Sequence, residues 1–194
     1  MKTKSSLAVL LLLTSFALSA QEAKYEIKSG IIKKTMEMWG QKMEGALYFD
    51  DYGKIESTTF TMSMQGTNTQ MRTINKDGAV TVINLENKTG NRFVLPEKPV
   101  NFLNLTQEIK DKHKVKELGE EDILGKSCKK YSMETSQMGQ TVSSTVWIWK
   151  GIALKTVSSV NGMDISDTAT DIRENAAVAA DIFTVPGDVS IQEM

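Results

Sequence analysis

Residues 54–64 read KIESTTFTMSM, and this stretch decides the fold class. Phe60, Met62 and Met64 occupy one phase, while threonine or serine occupies the positions between them. Successive side chains of a strand point to opposite faces of the sheet. The alternation therefore predicts a half-buried antiparallel strand with one apolar face and one polar face.

The same alternation recurs on both sides of this stretch, interrupted by short turn signals. Residues 41–49 alternate in the same way and reach 54–64 through a turn at residues 50–53. Asn161-Gly162 favours the type I′ turn of a two-residue hairpin. Turn signals spaced by about 8–12 residues are typical of an all-β sandwich or barrel. The predicted strands are 25–38 (with a bulge near Ser29-Gly30), 41–49, 54–64, 70–75, 79–85, 91–95, 127–136, 141–149, 152–160 and 165–174.

The middle of the chain has a different pattern. Residues 101–112 read NFLNLTQEIKDK and place Phe102, Leu105 and Ile109 at helical spacing, with Asn101 as the predicted N-cap. A second short helical turn is expected over residues 176–181. The prediction is about six strands, one helix and about five more strands, which together form one large curved sheet because large sheets curl or close.

The first twenty residues have the pattern of a secretory signal peptide. Lys2 and Lys4 precede an apolar run that ends near Leu18, and small residues follow before Gln21. The run is shorter than the roughly 20 residues that a membrane span needs. Residues 1–20 are therefore expected to be cleaved, the protein to be periplasmic or secreted, and residues 21–194 to form a single domain.

Charge and composition exclude several classes of function. The net charge of −1 becomes −3 once Lys2 and Lys4 are removed, and no basic stripe is present, so nucleic acid is not an expected partner. With one histidine, His113, two-histidine zinc sites are excluded. Nothing in the sequence indicates a catalytic triad around His113. The sequence therefore predicts a protein that is not an enzyme and that has no cofactor.

The single cysteine, Cys128, has two interpretations. It lies in GKSCKKY, and nearby lysines lower a thiol's pKa and raise its reactivity. Cysteine is also a small hydrophobe that is often simply buried. The neighbouring Gly125-Lys126-Ser127 lacks the glycine spacing of a phosphate-binding loop, and acidic residues 120–122 precede it.

The chain contains 11 methionines, several of them in M-x-M pairs within predicted strands. Three interpretations remain open: flexible thioethers fill an ordinary core, they line a cavity for a lipophilic guest, or they bind Cu(I). The candidate cavity-lining residues are Met36, Met38, Phe60, Met62, Met64, Tyr131, Met133, Trp147 and Trp149.

Three segments of the second half carry a family resemblance: LGKSCKKYSMET (124–135), VWIWKGIALKT (146–156) and FTVPGDV (183–189). With the order of elements, they resemble the LolA-like group of periplasmic lipoprotein carriers and lipid-binding proteins, and an uncharacterised Bacteroidetes branch in particular. The resemblance implies a single LolA-like domain over 21–194. It also implies a half-open β-barrel of about eleven strands with one or two helices on the concave side. No functional residue of the family can be matched to a position in this chain.

The leading hypothesis is a non-enzymatic binding protein, such as a carrier, for a lipid or other lipophilic ligand. The alternatives are a cell-envelope interaction module with a filled core and envelope-protein partners, or a methionine-based Cu(I)-binding protein. In VWIWKGIALKT both faces of the strand are apolar, so both should be covered. We expect Trp147 and Trp149 to lie either inside, near Phe102, or in an exposed patch suited to docking.

Overall fold

The computed structural model describes residues 22–38, 40–64, 67–95, 97–137, 140–160 and 162–194. Twelve strands and one α-helix are found among them. The predicted signal peptide lies outside the described residues. No helix in the described part of the chain is long and apolar enough to cross a membrane.

The strands are β1 (Gly30–Met38), β2 (Gln41–Asp50), β3 (Ile55–Met64), β4 (Thr67–Lys76), β5 (Ala79–Asn84), β6 (Thr89–Val94), β7 (Lys116–Ile123), β8 (Lys126–Gln137), β9 (Gln140–Trp149), β10 (Ile152–Val160), β11 (Met163–Glu174) and β12 (Ser190–Glu193).

All twelve strands belong to one sheet, in the order β12-β6-β5-β4-β3-β2-β1-β11-β10-β9-β8-β7. Neighbours pair antiparallel except β12, which pairs with β6 in parallel. The predicted fold class, a mainly β protein built on a large open curved sheet with few helices, is confirmed. The central β1–β11 pair joins the two halves of the sequence, so it brings together residues far apart in the chain.

The strand predictions missed β7 and β12 and began β1 too early. Residues 25–29 are not part of the sheet, and β1 begins at Gly30, where a side chain would collide with the Phe49 ring at 2.6 Å. The predicted bulge near Ser29-Gly30 is therefore absent from the described β1. The register shift lies further along the β1–β11 pair, between Lys33 and Lys34.

The helix is shorter than predicted. α1 spans Gln107–Lys112, and its N-cap is Thr106, whose side chain accepts a hydrogen bond from the Ile109 N–H. Asn101 caps a turn instead, since its Oδ1 accepts from the Leu103 N–H at 3.0 Å. The expected turn over 176–181 is a short 3-10 helix at Ala180–Phe183.

Buried apolar residues form two clusters that meet opposite faces of β9. The tryptophan cluster contains Tyr25, Ile27, Ile32, Leu47, Phe49, Cys128, Trp147, Trp149, Ile152, Leu154 and Ala169. The tyrosine cluster contains Tyr131, Met133, Val146 and Ile148, and the irregular segment before and after α1 packs on it through Val100, Phe102, Leu105 and Val115. The segment 146–149 is apolar on both sides because each side belongs to a different cluster.

The two tryptophans lie inside the protein, as one of the two expectations stated, but not near Phe102. Trp147 and Trp149 are 5% and 9% exposed, so they form no exposed patch. Phe102 packs on Tyr131, with ring centroids 5.5 Å apart, in the other cluster. The alternation of β9 makes this unavoidable, since Val146 and Ile148 take the face that Phe102 covers.

Candidate ligand-binding face

Methionine and phenylalanine side chains line one face of the sheet across β1–β4. Met36 pairs with Met43, Gly45 pairs with Phe60, and Phe60 pairs with Met71. Paired residues, and residues two apart on one strand, share a face. We name this surface the methionine face; its members are Met36, Met38, Met43, Phe60, Met62 and Met71.

Most of the methionine face lies outside the buried apolar core. Met43 is 4% exposed, whereas the other five members are only half-buried. Neither buried cluster in the described part of the chain includes any of the six, directly or as a partly buried neighbour. These side chains therefore form an apolar surface that the protein covers only in part.

An ion pair lies at the edge of this face, where β1 meets β11. Lys34 on β1 pairs with Gly45 on one side and Ala169 on the other, and Asp167 on β11 pairs with Met36. The Lys34 Nζ is 2.5 Å from the Asp167 Oδ2, and the Lys34 side chain is 9% exposed.

The other carboxylate oxygen of this pair is unsatisfied. Asp167 Oδ1 is buried and has no hydrogen-bond partner among the described residues. A buried acceptor without a partner is destabilising and rare in native proteins. The pair therefore retains hydrogen-bonding capacity between Met36 on β1 and Thr156 on β10, the two cross-strand partners of Asp167.

The nine residues predicted to line one cavity fall into three groups. Met36, Met38, Phe60 and Met62 lie on the methionine face, and Met64 ends β3 with a side chain outside the described residues. Tyr131 and Met133 belong to the tyrosine cluster, and Trp147 and Trp149 belong to the tryptophan cluster. The four described residues of the first group share one surface, which the other two groups do not join.

Sequence reasoning missed four residues of this site: Met43, Met71, Lys34 and Asp167. Met43 and Met71 lie in predicted strands, but only the pairing register brings them beside Met36 and Phe60. A signal for Lys34 was present, since it falls in phase with Ile32 and Met36. A charged residue in the apolar phase of a strand indicates a buried partner.

Charged side chains surround both tryptophans. The ring centroid of Trp147 is 4.7 Å from Lys130 Nζ and 4.5 Å from Lys155 Nζ, and its Nε1 donates to Glu121 at 2.8 Å. Lys126 and Lys150 approach the Trp149 ring in the same way. Lysines over aromatic faces are favourable cation–π contacts. Both rings are therefore held in place by the protein's own side chains.

Two cavities lie away from the methionine face. A cavity of about 570 Å³ is lined mainly by polar residues, including Lys24, Asn75, Asp77, Glu97 and Lys98. A second cavity, of about 390 Å³, lies beside Met133 among lysine, glutamate and serine side chains. Charged and polar residues make up most of both linings, whereas small-molecule pockets are lined mainly by hydrophobic and aromatic side chains.

Cys128 lies in the buried core, and His113 lies at the C-terminal end of α1. Cys128 is 0% exposed, and burial raises the pKa of its thiol. A raised pKa leaves less of the reactive thiolate. The backbone N–H of His113 donates to Ile109 O at 3.0 Å and closes the end of α1. Within the described ranges, no group of three or more histidine, cysteine, aspartate or glutamate side chains could hold a metal ion.

Comparisons with known proteins bear on the fold alone. No family model matches the chain, and no curated protein matches it. An uncharacterised conserved protein from Thermus thermophilus is 9% identical with a TM-score of 0.58, over 87% of this chain and 92% of that one. A chain of the Pseudomonas aeruginosa MucA/MucB complex is 12% identical with a TM-score of 0.52, over 86% of this chain and 58% of that one.

A third solved structure is less similar to this chain. A putative outer membrane lipoprotein-sorting protein domain from Vibrio parahaemolyticus is 13% identical with a TM-score of 0.41, over 83% of this chain and 92% of that one. At identities of 9% and 12%, the likeness to the first two structures shows a similar fold and nothing more. The chain is similar in fold to the Thermus protein and to part of the MucA/MucB chain.

Proposed function

We propose that this protein is exported and binds a lipid or other lipophilic molecule on the methionine face, without catalysing a reaction. The observation that carries the proposal is the apolar, half-buried surface of Met36, Met38, Phe60, Met62 and Met71, which neither core cluster includes. Thioether side chains are flexible and adapt to guests of different shape. The signal-peptide pattern of residues 1–20 supports export to the periplasm or beyond.

The hydrophobic effect is large enough for a lipid chain to bind to such a surface. Burying one methylene contributes about 0.8 kcal/mol, so a chain of about ten methylenes gains about 8 kcal/mol before the cost of immobilisation. A filled-core interaction module would place these methionines in a closed cluster. Their half-buried state therefore favours a surface on which a bound ligand buries the remaining exposed area of the side chains.

A charge placed on the methionine face tests the proposal. Met62→Lys should weaken binding of a fluorescent fatty-acid probe by about tenfold or more, because the ammonium must be buried under the chain. Thr61→Lys is the matched control: it makes a similar change one residue away on the opposite face, where Thr61 pairs with Glu44. Equal losses in both variants would contradict a site on this face.

The ligand itself can be sought directly. Native mass spectrometry of protein purified from its own cell envelope should detect a bound lipid. If no lipid co-purifies and the fatty-acid probe does not bind, the proposed function is wrong.

Copper binding is a second candidate because Met36 and Met43 are cross-strand partners on one face. Soft thioethers suit Cu(I). Met36→Leu with Met43→Leu separates the two functions, since leucine keeps the surface apolar and removes both sulfurs. Lipid binding should persist in this variant, whereas a copper protein would lose its Cu(I) titration.

A further inference from the structure

The Lys34–Asp167 pair needs an explanation beyond stability. Its atoms meet at 2.5 Å on a largely apolar surface, between Gly45 and Ala169 on the neighbouring strands. Replacing a buried ion pair by apolar residues is often neutral or stabilising, because both charges lose their hydration. Fold stability alone therefore gives no reason for a lysine and an aspartate at these positions.

The unsatisfied oxygen indicates what the pair can do. Asp167 Oδ1 is buried and has no partner among the described residues. Lys34 carries three N–H donors, and Asp167 Oδ2 takes one of them. The pair thus has an acceptor to fill and donors to share. Met36, the cross-strand partner of Asp167, is a flexible side chain that can move aside.

The charge of the pair selects the head group. Lysine and aspartate together are neutral, so a ligand carboxylate would meet the like charge of Asp167 without a cation of its own. A hydroxyl group can donate to Asp167 Oδ1 and accept from the Lys34 ammonium at the same time. We propose that the methionine face selects lipophiles with an uncharged hydroxyl head group, bound between Asp167 Oδ1 and Lys34 Nζ. This inference rests on the proposed function, because it names the ligand class of the same face.

Calorimetric titration with decan-1-ol and decanoate near neutral pH tests the inference. The two ligands share a chain and differ in their head groups. The wild-type protein should bind the alcohol about tenfold more tightly, the effect of one hydrogen bond to a charged group. Asp167→Asn removes the negative charge and leaves the Lys34 cation, so this variant should prefer decanoate.

Asp171→Asn is the matched control. It makes the same change on β11 at a carboxylate that pairs with Arg173 and is 45% exposed, so the preference for the alcohol should remain. Circular dichroism and a cooperative denaturation curve establish that each variant is folded. The wild-type comparison decides the question even if Asp167→Asn fails to fold.

The outcomes distinguish the head-group inference from the lipid-binding function on which it rests. Equal affinity for the two ligands, or tighter binding of decanoate by the wild-type protein, would overturn the head-group inference and leave the lipid-binding function standing. Binding of neither ligand would overturn both. A preference for the alcohol that Asp167→Asn reverses and Asp171→Asn retains would establish the inference.

Discussion

Trp147 is held by side chains from three other strands of the sheet. Lys130 on β8 and Lys155 on β10 approach its ring, and Glu121 on β7 accepts from its Nε1. The alternation in residues 146–149 predicted that both faces of this strand would be covered, and they are. The covering partners could not be predicted, because they depend on the pairing of three other strands.

The Glu121 carboxylate provides a prediction for a single residue. The hydrogen bond from Trp147, then that from Lys130, lowers the pKa of Glu121 below its ordinary value. A lowered folded-state pKa contributes stability that is fully present above the unfolded-state pKa of about 4.5 and is lost as pH falls through the folded value. Glu121→Gln should therefore lower the urea midpoint at about pH 7 and have a smaller effect near pH 3. The prediction fails if the difference between variant and wild type is the same at both pH values.

The strands show which elements local sequence can and cannot reveal. β3 was predicted because its apolar and polar residues alternate. β7 was missed because its sequence, KELGEEDI, has no apolar phase, and seven of its eight residues are exposed. Its strand conformation comes from pairing with β8, which includes a register shift between Glu117 and Gly119. An edge strand that is protected by charges and a bulge lacks the apolar alternation from which a strand is predicted.

The β2–β3 pair provides a prediction at the scale of elements. A Cβ on Gly45 would lie 2.1 Å from the Thr59 carbonyl oxygen and 2.6 Å from the Phe60 ring. Gly45→Ala should therefore separate the two strands and lower the free energy of unfolding by about 1–3 kcal/mol, the usual cost of overpacking. Gly187→Ala is the control, since a Cβ there meets nothing within 4 Å. Chemical denaturation measures both, and equal stability of the two variants would contradict the predicted collision.

The topology of the whole molecule combines local hairpins with a few long-range pairings. The turn signals at residues 50–53 and 161–162 predicted two hairpins, and β2–β3 and β10–β11 pair antiparallel as expected. The β1–β11 pair and the parallel β12–β6 pair have no local signature, because each joins segments distant in the sequence. The Lys34–Asp167 site lies on the first of these pairs. Alternation along one strand shows which methionines share a face, whereas an ion pair between strands distant in the sequence has no such local signal.

The segment before β1 connects several parts of the molecule, and Glu56 anchors it. Glu56 accepts from Lys24 Nζ at 2.6 Å, from the Tyr25 hydroxyl and from Asn75 Nδ2 at 3.4 Å. Burial, followed by the charge of Glu56, raises the pKa of Tyr25 well above its ordinary value, so the phenol remains a donor. The Glu26 N–H reaches Lys150 O in the β9–β10 turn at 3.1 Å. The segment thus joins the two halves of the sheet at one end.

Loss of this anchor should destabilise the whole protein. Glu56→Gln removes the charge that three donors share, and leaving part-buried donors poorly paired should lower the free energy of unfolding by roughly 1–3 kcal/mol. Glu44→Gln on the neighbouring β2 makes the same change at an exposed position and should stay within about 0.5 kcal/mol of wild type. Chemical denaturation gives both values, and hydrogen exchange at the Tyr25 and Glu26 amides locates the effect. If Glu56→Gln leaves both amides as protected as in the wild type, the segment is held by the Tyr25–Phe49 ring contact at 4.8 Å and by its backbone hydrogen bonds instead.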